Sequence, residues 1–126
     1  MKIMIWAVPV TLLFSCAGRN ASDAVQEFIP GTYVRYYTDE FRKSFDTVQI
    51  RPVTSSGSTG YAITKRDRYR KVLDGRELPE QSSVKEWMGA YDPQTQTLLL
   101  ESSGSRIYFD PSKGELNMGK VPYKKL

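Results

Sequence analysis

Thr47-Val48-Gln49-Ile50-Arg51-Pro52-Val53 sets Val48 and Ile50 between the polar Thr47, Gln49 and Arg51. Successive side chains on a strand point to opposite faces, so this alternation describes a strand with one face in an apolar core and the other in water. Upstream, Thr32-Tyr33-Val34-Arg35-Tyr36-Tyr37-Thr38 has the aromatic and β-branched composition of another strand. Downstream, beyond the turn-rich Thr54-Ser55-Ser56-Gly57-Ser58-Thr59-Gly60, a long run from Tyr61 to Val72 makes a third. Leu73-Asp74-Gly75-Arg76-Glu77-Leu78-Pro79-Glu80 then carries an Asp-Gly turn pair and a proline that stops regular pairing, and it reads as a loop.

Residues 83–91 read two ways. Val84, Trp87, Met88 and Tyr91 fall at helical spacing, and Ser83 with Glu86 fits a capping box. Gly89 weakens a helix, however, and Tyr91-Asp92-Pro93-Gln94-Thr95 is turn chemistry leading into Gln96-Thr97-Leu98-Leu99-Leu100. The strand reading is preferred. A second aromatic-Asp-Pro step, Phe109-Asp110-Pro111, follows the run Arg106-Ile107-Tyr108-Phe109, and Gly114 opens the last stretch to Leu126. Hairpin after hairpin predicts an all-β chain: an antiparallel up-and-down meander of about 7–8 strands. Such a meander curls into a small barrel or a strongly curved sheet, so that its edges meet.

The start of the chain has another character. Lys2 precedes the apolar stretch Ile3–Phe14, shorter than the roughly 20 residues a spanning helix needs but within the about 7–15 of a secretory h-region. It ends in Leu13-Phe14-Ser15-Cys16, and a polar stretch with Gly18, Arg19, Asn20 and Asp23 follows. A small residue before a cysteine at such a boundary resembles the lipobox of bacterial lipoproteins. The resemblance implies removal of residues 1–15, a lipid on Cys16, a tether over 16–29 with at most a turn of helix, and a single domain over 30–126. With about 0.8 kcal/mol per buried methylene, such acyl chains anchor a protein without help from its surface. Ala17 after the cysteine, with no acidic cluster behind it, points to the periplasmic face of an outer membrane.

The chain has 126 residues, so loss of 15 leaves 111, one domain's worth. Only Lys2 of the 18 basic residues lies in the leader, and all 14 acidic ones remain, which leaves a charge near +3. That is too mild for the dense phosphate neutralisation of nucleic-acid binding. Anionic glycans, anionic lipids and acidic envelope proteins are the partners that suit it. An acylated Cys16 leaves no thiol for a disulfide or a metal. The chain has no histidine, which excludes Ser-His and Cys-His nucleophiles and removes the commonest metal ligand. The serines show no Gly-x-Ser-x-Gly elbow. No cofactor or metal is expected; a pair of the acids meeting across a sheet is the one catalytic arrangement left, and no spacing selects it.

Phe28-Ile29-Pro30-Gly31-Thr32-Tyr33, Glu40-Phe41, Asp46-Thr47-Val48 and Tyr69-Arg70-Lys71-Val72-Leu73-Asp74-Gly75 are similar to segments of short Bacteroidota lipoproteins with a lipocalin-like β-meander. That resemblance implies an envelope location and a β-barrel, and it brings no catalytic residue.

Several residues stand out as candidates. On the third run, Arg66, Arg68 and Arg70 share one strand face, a linear cationic stripe suited to the planar pairing of guanidinium with phosphate or carboxylate. The plainer reading is a solvated outer face. On the opposite face Lys65 and Asp67 interrupt the apolar positions, and the preferred reading exposes them on a hairpin that overshoots the core. The tyrosines (Tyr33, Tyr36, Tyr37, Tyr61, Tyr69, Tyr91, Tyr108 and Tyr123) and Trp87 are candidates to line a sugar or lipid cavity, with Tyr33, Tyr61, Trp87 and Tyr91 foremost and core packing as the plainer alternative. Asp46-Thr47-Val48 resembles a three-residue O-glycosylation signal but reads as the start of a strand, and Asn20-Ala21-Ser22 is a sequon without meaning in a bacterial lipoprotein. The expectation is a non-enzymatic, membrane-anchored binding or interaction module. A carrier of a small amphipathic ligand inside the barrel is the alternative, and a carboxylate-only hydrolase is a third reading.

Overall fold

The computed structural model describes residues 21–55 and 58–126. The expected leader, Cys16, and Asn20 of the sequon lie outside the described residues. Among these residues one helix, α1 (Ala21–Phe28), precedes nine strands: β1 (Gly31–Thr38), β2 (Arg42–Ser55), β3 (Ser58–Leu73), β4 (Arg76–Glu77), β5 (Gln81–Asp92), β6 (Thr97–Leu100), β7 (Arg106–Asp110), β8 (Glu115–Met118) and β9 (Val121–Lys125). Every pairing is antiparallel. Eight strands form a ring in the order β1, β2, β3, β5, β6, β7, β8, β9, and Tyr33↔Lys125 between β1 and β9 closes it. The chain is therefore an all-β up-and-down barrel, and closure removes the sheet edges. The ninth strand, β4, hangs on the end of β3 through Leu73↔Arg76.

Local chemistry explains the turns. Asp74 and Gly75 both have positive φ, 51° and 75°, which is the two-residue hairpin geometry that Asp-Gly favours. The stretch expected as a loop thus turns directly into β4. Asp39 Oδ1 accepts the N–H groups of Phe41 and Arg42, each at 2.7 Å, and so shapes the β1–β2 turn. Asp92 Oδ1 accepts the Gln94 N–H at 3.0 Å before β6.

Residues 81–92 are strand. Ile63↔Trp87 and Tyr61↔Gly89 are register partners, which sends Trp87, Gly89 and Tyr91 inward as a period-two set. Gly89 is required there by space. A Cβ on it would meet Ile63 Cδ1 at 3.0 Å and Leu98 Cγ at 3.1 Å.

The core collects inward residues of all parts of the ring: Tyr33, Val48, Ile50, Tyr61, Ile63, Leu98, Leu100, Ile107, Leu116 and Tyr123. A fully buried aliphatic or aromatic side chain of this kind contributes about 1.5–3 kcal/mol. One end of the barrel is sealed by α1. Val25, Phe28 and Ile29, spaced three and four residues apart, form a narrow apolar face on that helix; Val25 and Ile29 are buried, and the Phe28 ring sits 5.8 Å from Tyr33 and 6.3 Å from Phe109. The Tyr33 hydroxyl donates to the carbonyl oxygens of Phe28 and Ile29 at 2.8 and 2.9 Å. Lys125 donates to the Phe28 carbonyl at 2.6 Å and lies over its ring, a cation at the helix C-terminus. The stretch expected as a tether up to residue 29 is, from Ala21 on, part of the folded body, because its apolar residues share a helical face.

Candidate polar pocket at the far end of the barrel

Moving along β1, β2 and β3 away from α1, the inward positions change character. On β1 they run Tyr33, Arg35, Tyr37; on β2, from the core outward, Ile50, Val48, Asp46, Ser44; on β3, Ile63, Lys65, Asp67. The register aligns the change. Arg35 opposes Asp46, and Asp46 opposes Asp67, so a cation and two carboxyls stand in one row across three strands. Arg42 from β2 and Tyr123 from β9 join them around a cavity of about 280 Å³, at the lower edge of the roughly 300–1,000 Å³ of ligand pockets.

The row is mostly withdrawn from water. The Asp46 side chain is 9% exposed and that of Asp67 16%; Arg35 Nη1 lies 3.9 Å from Asp46 Oδ2 and Lys65 Nζ 3.5 Å from Asp67 Oδ2. Oδ1 of each aspartate is buried with no donor. Burial, and then the neighbouring Asp67 carboxylate, push the Asp46 carboxyl above the usual range, and the opposing pull of Lys65 and Arg35 is smaller. Two carboxylates have no proton to share. With Asp46 protonated, its hydroxyl can donate to Asp67, and one hydrogen bond replaces a like-charge contact. The Tyr123 hydroxyl, also in this group, is pushed up by burial. Arg42 is held by stacking, its guanidinium 4.2 Å from the centre of the Tyr69 ring. Among the described residues its guanidinium makes no ion pair within 4 Å, although its charge helps to lower the Asp39 carboxyl at the β1–β2 turn.

Lys65 and Asp67 stand where β1, β2, β3 and β5 run past the closed ring, since β1 has no β9 partner beyond Val34 and β5 no β6 partner before Gly89. The overshoot expected of this hairpin is present, but the two side chains turn to its inner side and are 22% and 16% exposed, so they line a pocket and are not open to water. Tyr33 and Tyr61 are packed core residues, while Trp87 and Tyr91 are half-buried against the core; all four line the filled part of the barrel, away from the polar pocket. Arg66, Arg68 and Arg70 are brought together on the outer face of β3. Arg70 is offset by Glu77 of β4 at 3.7 Å, and Lys43 of β2 bonds the same carboxylate. Arg68 opposes Phe45, which in turn opposes Tyr36, so an aromatic pair, 42% and 71% exposed, continues the row. Cys16 lies outside the described residues.

Sequence reasoning missed Arg35, Arg42 and Asp46 as pocket residues, while Tyr37 and Tyr123 are among the tyrosines it offers as cavity lining. A signal was present: the inward period passes to charged residues after Ile50 and Val48 on β2 and after Tyr61 and Ile63 on β3. Asp46-Thr47-Val48 is a mid-strand segment, with Asp46 inward and Thr47 paired to Val34 on one side and Arg66 on the other.

Among the described residues there is no helix long and apolar enough to cross a membrane and no group of three or more metal-ligating side chains. Compared with protein-family models, curated proteins and solved structures, the chain matches none, and the functional reading rests on its own geometry.

Proposed function

We propose that this chain is an envelope lipoprotein, anchored through Cys16 on the periplasmic face of the outer membrane, whose barrel works as a non-catalytic binding module through the end away from its anchor. The observation that carries this reading is the polarity of the barrel. The chain enters at the end that α1 seals with Val25, Phe28 and Ile29, while the polar pocket and the exposed Tyr36, Phe45, Arg66 and Arg68 lie toward the other end. Arg68 is five residues beyond Ile63 on β3, about 16 Å of strand. A lipid on the near side leaves that surface free to meet something in the periplasm.

The filled core supports binding at the far end over carriage of an acyl chain, since Tyr33, Ile50, Ile63, Leu98 and Leu116 occupy the axis. Asp46 and Asp67 are the facing carboxylates that a hydrolase reading needs. A pair in mutual hydrogen-bond reach is closer than the roughly 5–9.5 Å separations that glycoside hydrolysis uses to admit a sugar or a water. That spacing argues against glycoside hydrolysis.

The anchor is tested by intact mass of the membrane-extracted protein, expected to begin at Cys16 with acyl mass added; a mature chain without that addition refutes it. The far-end surface is tested by crosslinking in the native envelope with Arg66→Glu plus Arg68→Glu. Both side chains are exposed, so the melting temperature should hold to within about 0.5 kcal/mol of stability, while crosslinks to anionic partners fall at least severalfold. Unchanged crosslinks would remove the stripe from the binding surface.

A further inference from the structure

Resting on the reading of the far end as the binding end, we infer that the polar pocket takes a small polyhydroxylated carboxylate, of the class of a single uronic-acid ring. Three features of the cavity each ask for one part of such a ligand. Arg35, Arg42 and Lys65 bring three cations to a space that also holds Asp46 and Asp67. The Arg42 guanidinium makes no ion pair within 4 Å among the described residues, although its charge reaches the Asp39 carboxyl, and it offers the two-pronged donor that matches a carboxylate. Among the described residues Oδ1 of Asp46 and of Asp67 has no donor, and a buried acceptor left unmade costs about 1–3 kcal/mol. The proton on Asp46 serves one of the pair, and a ligand hydroxyl supplies the other. Tyr37, on whose ring the Arg35 guanidinium rests at 4.9 Å, and Tyr123 also line the space, and the cavity of about 280 Å³ admits one ring and no acyl chain.

Protonation ties the two halves of the site together. Around Asp46 stand Arg35 of β1, Lys65 and Asp67 of β3, and Tyr123 of β9. With the Asp46 carboxyl neutral, three cations face one carboxylate and the pocket favours an anion. When Asp46 loses its proton a second negative charge enters beside the ligand carboxylate. Affinity for an acidic ligand therefore falls as pH rises through the Asp46 titration.

The test uses the full chain in neutral detergent, titrated by calorimetry with glucuronate, glucose and inorganic phosphate. Glucuronate is expected to bind at least about tenfold more tightly than either of the others, since glucose lacks the charge and phosphate the hydroxylated ring. Arg42→Gln should weaken glucuronate about tenfold at unchanged melting temperature. Raising pH from about 5 to about 8 should weaken binding in the wild type and not in Asp46→Asn. Equal affinity for phosphate and glucuronate would make this a plain oxyanion site, equal affinity for glucose would make the cations bystanders, and no binding to any probe would leave the row a structural ion-pair network; each overturns the assignment. Crosslinks lost in the arginine-stripe variant with glucuronate binding intact, or the reverse, separate failure of this inference from failure of the far-end reading.

Discussion

The two ends of the barrel are built on the same strands and have opposite interiors. Near α1, the inward residues of β1, β2 and β3 are Tyr33, Val48, Ile50 and Ile63, all buried and all packed. Two to four residues further along, the inward residues are Arg35, Asp46, Lys65 and Asp67, with a cavity between them. The lesson is that burial and packing are separate properties. Asp46 is nearly as buried as Val48 two positions away, yet Val48 contributes by leaving water while Asp46 gives up hydration and recovers it only in part. Removing one member of a buried charged group is costly, whereas a matched apolar replacement of the whole group is often neutral. The near end is therefore where the stability lies. The far end keeps groups that stability alone does not call for.

That contrast can be broken hardest at Ile63. Ile63→Ala opens a void in the core beside Leu98 and Trp87, and it should cost about 2–5 kcal/mol in urea unfolding. A loss below about 1 kcal/mol would mean the near end is not the tightly packed region described. Next in size, Gly89→Ala forces a methyl against Ile63 and Leu98 and should cost about 1–3 kcal/mol through overpacking. The paired variant Gly89→Ala with Leu98→Val should recover part of that loss, since it returns the space.

Smallest is Asp46→Asn at the far end, and its sign depends on pH. The folded state holds the Asp46 proton more tightly than the unfolded chain does, because its carboxyl is raised. Below the unfolded carboxyl range near pH 4 both states are protonated and the residue is neutral in effect. As pH rises from there through the raised folded value, the wild type loses stability that the asparagine variant keeps. Asp46→Asn should thus melt above the wild type at pH 8, with the gap closing at pH 3.5 in paired thermal melts. A gap that widens toward acid would show that Asp46 is stabilised as a carboxylate instead.

Much of the strand plan was legible because alternation is a local property. Thr47–Val53 and the run from Tyr61 read as half-buried strands, the Asp74-Gly75 pair as a turn, and 83–91 as a strand once Gly89 and the Asp92-Pro93 turn were weighed. The pocket was harder to read. Its row depends on Asp46 standing opposite Asp67, and the strand segments alone do not say which residue of one faces which residue of the next. Lys65 and Asp67 illustrate the difficulty: their inward phase is plain from the period, but whether inward means core, pocket or open water depends on how far the neighbouring strands extend. The tether misled for a related reason. Val25, Phe28 and Ile29 are too few to announce a helix that belongs to the domain, and only the barrel opening beside them supplies the surface they cover.

By itself, then, the sequence determined the phase of each strand, the places where the chain turns, and the limits on chemistry set by one cysteine and no histidine. Those follow from steric and chemical properties of single residues and their close neighbours. The tertiary structure decided the closure between β1 and β9, the register that gathers Arg35, Asp46 and Asp67, and which end is filled and which is hollow. These depend on summed side-chain volumes and on contacts between residues far apart in the chain, and a local pattern carries no record of either.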